Sequence, residues 1–387
     1  MTGPGSGVGP GPGPGSGPSP GVGRGVGRGA ASAGAAPPRR VHLAAYLPGT
    51  PDTGGPSGFA SVRHLARTAE RGRFDFLLLD QDLRPRADAE GGCASLTVLN
   101  ALAAVTGHLG LAATVDAAGG EPCELARCLA SLDHLSGGRA AWHVGPLPPD
   151  EGGPARRAAL TEAPGPDDGH PDRADECVEV TRALWRAWPP GSAPRTVRHS
   201  GPWFDLTARP ALPPSPQGHP VVIRGAGSDG AREAAARTAD VVLTGHTDEE
   251  AGRALRADLG RRLTRYGRPP GALKVMAVAA FVLGETEDEA RAKRAAHGPG
   301  TARRPCLTGT PASLAATLDA YVRAGAADGF VLTPLLAPDG LDEFVDLVVP
   351  LLQRRGVYRA AYEGPTLRDH LGLERPAAEA DRVAAGR

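Results

Sequence analysis

Val221-Val222-Ile223-Arg224-Gly225-Ala226-Gly227-Ser228-Asp229-Gly230 runs a β-branched apolar stretch into a glycine-rich turn. A segment of helical period follows, Asp229–Thr238, and then a second apolar run, Val241–Thr244. Strand, tight turn, helix and strand in so few residues make one βα repeat of a parallel sheet. The turn is built to receive an anion: small residues let backbone N–H groups come close, and the following helix N-terminus adds a partial positive charge. Gly225, Gly227 and Gly230 also spell G-x-G-x-x-G, so an open dinucleotide-binding sheet has to be weighed. That sheet needs an acidic residue for a ribose hydroxyl at the end of the second strand. Here the second run ends in Gly245-His246. The motif also follows the fifth strand candidate of the chain rather than the first.

Working outward, apolar runs at Val41–Leu47, Phe74–Leu79, Leu109–Val115, Arg139–Val144, Val275–Leu283 and Gly329–Thr333 complete a set of eight strand candidates. Helical segments lie between them: Phe59–Arg71, Leu96–Thr106, Cys123–Leu135, Arg173–Trp188, Asp229–Thr238, Glu249–Tyr266, Glu285–Ala296 and Pro311–Ala324, with Leu341–Arg354 after the last strand. Ser136-Gly137-Gly138 and Gly267 mark helix ends, and Thr310-Pro311 marks a helix start. Eight βα units predict a closed (β/α)8 TIM barrel. The stretch from Pro189 to Pro220, with Trp203-Phe204-Asp205 between turn residues, predicts a small hairpin outside the barrel. The stretch from His297 to Leu307 reads as a trimmed connection.

Residues 1–40 are almost entirely Gly, Pro, Ser, Ala, Val and Arg, with no aromatic residue, and predict a disordered tail. The barrel is expected over 41–376, with a short C-terminal tail over 377–387. Lysine plus arginine and aspartate plus glutamate both number 43, so no global field recruits nucleic acid. The longest apolar run is about half of what a membrane span requires, and the alternation of Gly and Pro near the start breaks any secretory apolar core. Five scattered cysteines without C-x-x-C spacing point to free thiols in a reducing cytoplasm and to no metal centre.

Barrel enzymes carry their chemistry at the C-terminal ends of the strands. There the sequence puts Thr114, His143 beside Trp142, and Arg224. His143 is the candidate base or ligand contact, against a satisfied rim histidine. Ser228 suits both a phosphate contact and a helix cap. Asp229 favours the helix dipole but would repel a phosphate it faced. His134, at a helix C-terminus on the opposite end, reads as structural. No G-x-S-x-G or H-E-x-x-H occurs, so hydrolytic chemistry has no support. A phosphate site on a barrel without self-evident catalytic side chains suits a cofactor that carries its own chemistry.

Leu96-Thr97-Val98-Leu99-Asn100-Ala101-Leu102 and Ser131-Leu132-Asp133-His134-Leu135-Ser136-Gly137-Gly138-Arg139-Ala140-Ala141-Trp142 resemble the nitrilotriacetate, pristinamycin and dibenzothiophene-sulfone monooxygenases, a luciferase-like group. The glycine-rich turn, Ala324-Gly325-Ala326-Ala327-Asp328-Gly329-Phe330, Gly340-Leu341-Asp342-Glu343-Phe344 and Tyr362-Glu363-Gly364 extend the resemblance from Val41 to Pro376. It implies a flavin-dependent monooxygenase that takes reduced FMN as co-substrate from a separate NAD(P)H:flavin reductase. Such an enzyme uses O2 to oxidise a small organic substrate. It also implies that Gly227, Ser228, Asp229 and Gly230 hold the FMN phosphate, with Arg224, Gln81 and Thr114 around the cofactor, and it allows a homodimer.

The departures from that family fall on the catalytic face. Gln81 stands where the family has Asp, with Asp80 and Asp82 adjacent. Ala118-Gly119-Gly120-Glu121-Pro122 replaces Thr-Tyr-Asn-Glu-Pro. His143 replaces Asn, Asp167 and Pro171 replace His and Tyr, and Arg224 replaces Gln. The helical insertion before Gly309-Thr310-Pro311 is nearly absent. An impaired paralogue that binds a ligand or partner without turnover is the alternative these changes raise.

Overall fold

The computed structural model describes residues 39–48, 56–80, 95–145, 171–246, 248–296, 305–335 and 340–376. All eight expected strands form, each within two residues of its expected start and one of its expected end. They are β1 His42–Pro48, β2 Phe76–Asp80, β3 Gly110–Val115, β4 Ala140–Val144, β7 Val221–Gly225, β8 Val241–Thr244, β9 Lys274–Leu283 and β11 Gly329–Pro334. Every neighbouring pair among them is parallel, and β8 pairs with β9 while β11 pairs with β1, so the sheet closes on itself. The chain therefore folds as a (β/α)8 barrel. The helices are α1 Pro56–Arg71, α2 Ser95–Ala103, α3 Pro122–Ser136, α4 Pro171–Arg186, α5 Asp229–Thr238, α6 Glu249–Arg265, α7 Glu287–Ala296 and α8 Pro311–Arg323. A run over 340–354 (α9), with a π turn at Phe344–Val348, and a short α10, Leu367–Leu371, complete them. No helix among the described residues is long and apolar enough to cross a membrane.

Period-two alternation sorts the strand residues into two layers. Ala44, Phe76, Leu78, Ala112, Ala141, Val221, Ile223, Val241, Met276 and Val331 fill the barrel interior. Leu43, Leu77, Leu111, Ala140, Trp142, Val222, Ala277 and Leu332 face the helices. Ala44, Ala112 and Ala141 are the small inward side chains of β1, β3 and β4, and the interior is stoppered below by Leu367, Leu371 and Leu373 from α10 and its exit.

Two features lie outside the repeat. The expected hairpin forms as β5 Val197–Ser200 and β6 Asp205–Ala208, antiparallel, with Trp203 and Phe204 in its turn. Glu176 of α4 ties that turn down, accepting from Trp203 N at 3.2 Å, from Phe204 N at 2.9 Å and bonding His199 Nε2 at 2.8 Å. The second feature corrects the sequence reading. Part of the connection expected over His297–Leu307 begins a ninth parallel strand, β10 Cys306–Gly309, paired with Ala280–Leu283. β9 is long enough to outrun β8, whose pairing ends at Thr244 and Ala277, and β10 takes up the backbone groups left above it. Its four residues, of which only Gly309 is buried, carry no periodic signal, which is why the run is not legible in the sequence.

The expected tails, 1–40 and 377–387, lie outside the described residues except for Arg39 and Arg40, and Arg40 pairs with Glu363. His134 has the structural contact expected of it, Nε2 to Pro213 O at 3.0 Å.

The base of the barrel is held by Asp240, just before β8. Its Oδ2 accepts from Arg368 Nη2 at 2.8 Å and from Val222 N at 2.9 Å, and both side chains of the ion pair are almost fully buried. Burial alone would raise the Asp240 carboxyl, but Arg368 and Arg182 overturn this and hold it far below the usual range. His219, at 3.1 Å from Arg368, is itself kept neutral by burial, so the two guanidiniums carry the effect. A carboxyl lowered on folding stabilises above its unfolded value, about 3.9, and loses that contribution as pH falls below it. We expect Arg368→Met to lower stability at pH 7 by about 3–5 kcal/mol, because it strands a buried charge. Urea titrations should show the gap from wild type narrowing below about pH 4, and a pH-independent gap would contradict this account.

Candidate functional site

The C-terminal ends of the strands form the mouth of the barrel. Alternation carried one step beyond the interior apolar layer turns Thr114 and His143 inward, in step with Ala112 and Ala141. They are register partners across β3 and β4, and Thr114 Oγ1 lies 3.2 Å from His143 Nδ1. Both are buried, at 3% and 0% exposure, so the imidazole is fixed by its strand and its neighbour rather than by solvent. The same count turns Tyr46 of β1 and Thr333 of β11 inward at this level. Neither is singled out by the sequence reading, although stepping by two from Ala44 and from Val331 finds both.

At the end of β7 the chain enters the glycine-rich turn. Gly227, Ser228, Asp229 and Gly230 are exposed, and Ser228 caps α5, its hydroxyl accepting from Ala231 N at 3.1 Å. A Cβ added at Gly225, Gly227 or Gly230 would meet nothing within 4 Å, and none of the three has a left-handed backbone. Neither packing nor conformation demands glycine there. What three missing side chains leave open is approach to the backbone N–H groups at the start of a ten-residue helix, which suits a phosphate. Asp229 is turned to the neighbouring helix: its carboxylate accepts from Arg262 Nη2 at 2.5 Å, and Arg262 also binds Glu233 of α5 and Asp258 of α6.

Arg224 is on the other face of β7 from Ile223. It has the alternation of Val222, toward the helices, and its Nη2 is held by Asp175 Oδ1 of α4 at 2.6 Å. Burial lowers its guanidinium from the ordinary value, Asp175 opposing that shift. The structure thus brings Thr114 and His143 together inside the mouth and the glycine turn to its rim, and puts Arg224 behind the sheet. Gln81 and Asp167 lie outside the described residues, as do 49–55, 82–94, 146–166 and 336–339, which also follow strand ends.

The altered segment Ala118–Pro122 is a helix approach. Asp116 Oδ1 accepts from Ala118 N at 2.9 Å, Pro122 opens α3, and a Cβ at Gly120 would sit 2.6 Å from Leu125 Cδ1. A side chain there would have to move Leu125 and would crowd Asp116 O at 3.1 Å. We expect Thr114→Val, which keeps the shape and removes the contact with a buried imidazole, to cost about 1–3 kcal/mol in urea unfolding. Gly227→Ala should stay within about 0.5 kcal/mol of wild type.

A family model described as luciferase-like monooxygenase matches residues 40–302. The chain is 32% identical to nitrilotriacetate monooxygenase component A of Aminobacter aminovorans, over 81% of this chain and 89% of that one. It is also 32% identical to one subunit of the pristinamycin IIA synthase of Streptomyces pristinaespiralis, over 88% and 98%. Among solved structures, the EDTA monooxygenase of Chelativorans sp. BNC1 superposes with a TM-score of 0.75 at 27% identity, over 87% of this chain and 99% of that one.

Proposed function

From the premise that the chain belongs to the luciferase-like monooxygenase family, we propose that it is an FMN-dependent monooxygenase that inserts oxygen from O2 into a small organic substrate. The observation that carries the cofactor half is the glycine turn: three glycines that packing does not require, at the N-terminus of a capped helix on the catalytic rim. Gly227 and Gly230 keep the approach open, backbone N–H groups there receive the phosphate, and Ser228 divides its hydroxyl between the helix cap and the ligand. Reduced FMN, once bound, supplies the electrons and activates O2.

The chain's own part is placement. Thr114 and His143 line the wall of the barrel interior, where His143 can hold or move a proton at Nε2 while Nδ1 stays against Thr114. The dry layer beneath them, Leu78, Ala112, Ala141 and Ile223, excludes water from below. Asp229 does not oppose the phosphate, because Arg262 takes its charge. One relative bears the name component A and another is named as part of a synthase of more than one chain, which supports a multicomponent system. We place a separate NAD(P)H:flavin reductase as the supplier of reduced flavin, with the chain acting in the cytoplasm and able to pair as a homodimer.

A second reading is a chain that binds flavin without turnover. The observation favouring it is His143 at a position where the family carries Asn, inside the mouth.

Titrating the protein into FMN should quench flavin fluorescence with a dissociation constant in the micromolar range. Riboflavin, lacking the phosphate, should bind at least about tenfold more weakly. Gly227→Leu should abolish the preference for FMN while leaving the fold intact. Equal affinity for the two flavins, or no binding at millimolar FMN, would overturn the assignment of the turn. Oxygen uptake with a reductase and NADH then separates the two readings, since binding without uptake in the presence of candidate substrates supports the second.

A further inference from the structure

A cavity of about 290 Å³ opens at the base of the barrel, on the face opposite the glycine turn. Val41 and His42 at the start of β1, Lys274 at the start of β9 and the segment around α10 surround it. Its charges do not cancel. Each of its carboxylates is already engaged: Asp328 with Arg256 at 2.9 Å and with Val275 N at 2.8 Å, Glu363 with Arg40, and Asp369 with Thr366 in the α10 capping box. Of its cations, Lys274 and Arg39 have no ion-pair or hydrogen-bond partner among the described residues.

Beside Arg40, which Glu363 holds, the remaining cation is Arg359. Its side chain is 8% exposed, and Nη2 is engaged by Asp75 Oδ1 at 2.5 Å and His370 O at 2.8 Å. Nη1 is buried and has no hydrogen-bond partner. An unmade bond on a buried guanidinium is costly, so a group that supplies its acceptor is favoured. Here the guanidinium lies in the wall of a cavity whose two other free groups are also cationic.

We propose that this cavity is a binding site for a phosphate-class anion, distinct from the flavin phosphate turn at the other end of the barrel. A guanidinium N–H from Arg359 and the ammonium of Lys274 supply the donors, with Arg39 closing the edge. Among the described residues neither Lys274 nor Arg39 has an ion-pair partner and Asp369 is engaged only by the neutral Thr366, so the lining keeps a net excess of one positive charge, which favours an anion. Arg359 is already oriented by Asp75, so little order is lost on binding. The same chemistry fits inorganic phosphate or the phosphoryl end of an organic monoester.

Calorimetric titration of the full chain with inorganic phosphate, against chloride at matched ionic strength, tests the site. The Gly227→Leu background removes the phosphate turn from the signal. Saturable binding is expected there, weakened at least about tenfold by Lys274→Gln, retained by Lys274→Arg, and weakened by Arg39→Ser. The two Lys274 variants differ in charge at similar length, so an effect of Gln absent from Arg is not a folding defect, and thermal melts of each confirm it. Parallel titration with glycerol phosphate identifies the source: tighter binding marks an organic monoester, weaker binding the free anion. Binding that is lost in Gly227→Leu, unaffected by Lys274→Gln, or reproduced by chloride would overturn the proposal.

Discussion

A buried carboxylate ties the barrel to α10, the last helix among the described residues. Asp240 follows α5 and precedes β8, and from there it holds Val222 of β7 on one side and Arg368 of α10 on the other. Because α10 also contributes the leucines that plug the barrel, the ion pair and the apolar stopper are placed by the same turn of helix. Burying both charges costs several kcal/mol that their attraction must offset. What the pair supplies is position. Thr366 caps α10 in a reciprocal box with Asp369, Leu367 N donates to Gly138 O, and Arg368 then reaches Asp240, with His219 and Glu374 O beside it. An apolar substitute could plug the barrel without fixing which turn of α10 faces it.

Similar networks repeat around the base. Arg139 donates to Ser136 O, Leu109 O, Ala103 O and Thr106 O, joining α2 and α3 below β3 and β4. Asp133 accepts from Ala140 N and from Gln217. Asp75 binds Leu43 N, His42 and Arg359. At the mouth the inward positions hold Tyr46, Thr114, His143 and Thr333, and the rim holds glycines. The base contacts register the strands, while the mouth presents inward side chains and a glycine rim. This division agrees with the general rule that barrel bases carry stability and barrel mouths carry chemistry.

That division also explains what can be read in the sequence. The strands are legible because each is a short apolar run between turn residues, and β7 to β8 is legible in full because its turn is so rich in glycine. The family motifs around Asp133 to Trp142 are legible for the same physical reason, since they are the base network and tolerate little change. β10 is not, because its four residues pair only with the overhang of β9. Tyr46 and Thr333 escape although the information is present, because reading strands as apolar runs counts residues and ignores parity. Parity decides Arg224 as well. It ends a strand on the catalytic side, but an even step from Val222 turns it toward α4, where Asp175 holds it.

The same parity changes the weight of the departures from the family pattern. A residue at position 224 faces the helices whatever its identity, so Arg224 there exchanges a contact behind the sheet and leaves the barrel interior untouched. A side chain at Gly120 would have to move the Leu125 side chain, so the altered segment before α3 changes packing as well as contacts. His143 is different: it is inward, fully buried and register-paired with Thr114. An imidazole there adds a titratable group and more bulk than the amide of an asparagine, directly above the Ala112 and Ala141 layer. Of the altered positions described, His143 is the one on an inward strand position, whereas Arg224 lies behind the sheet and Ala118–Pro122 lead from the end of β3 into α3.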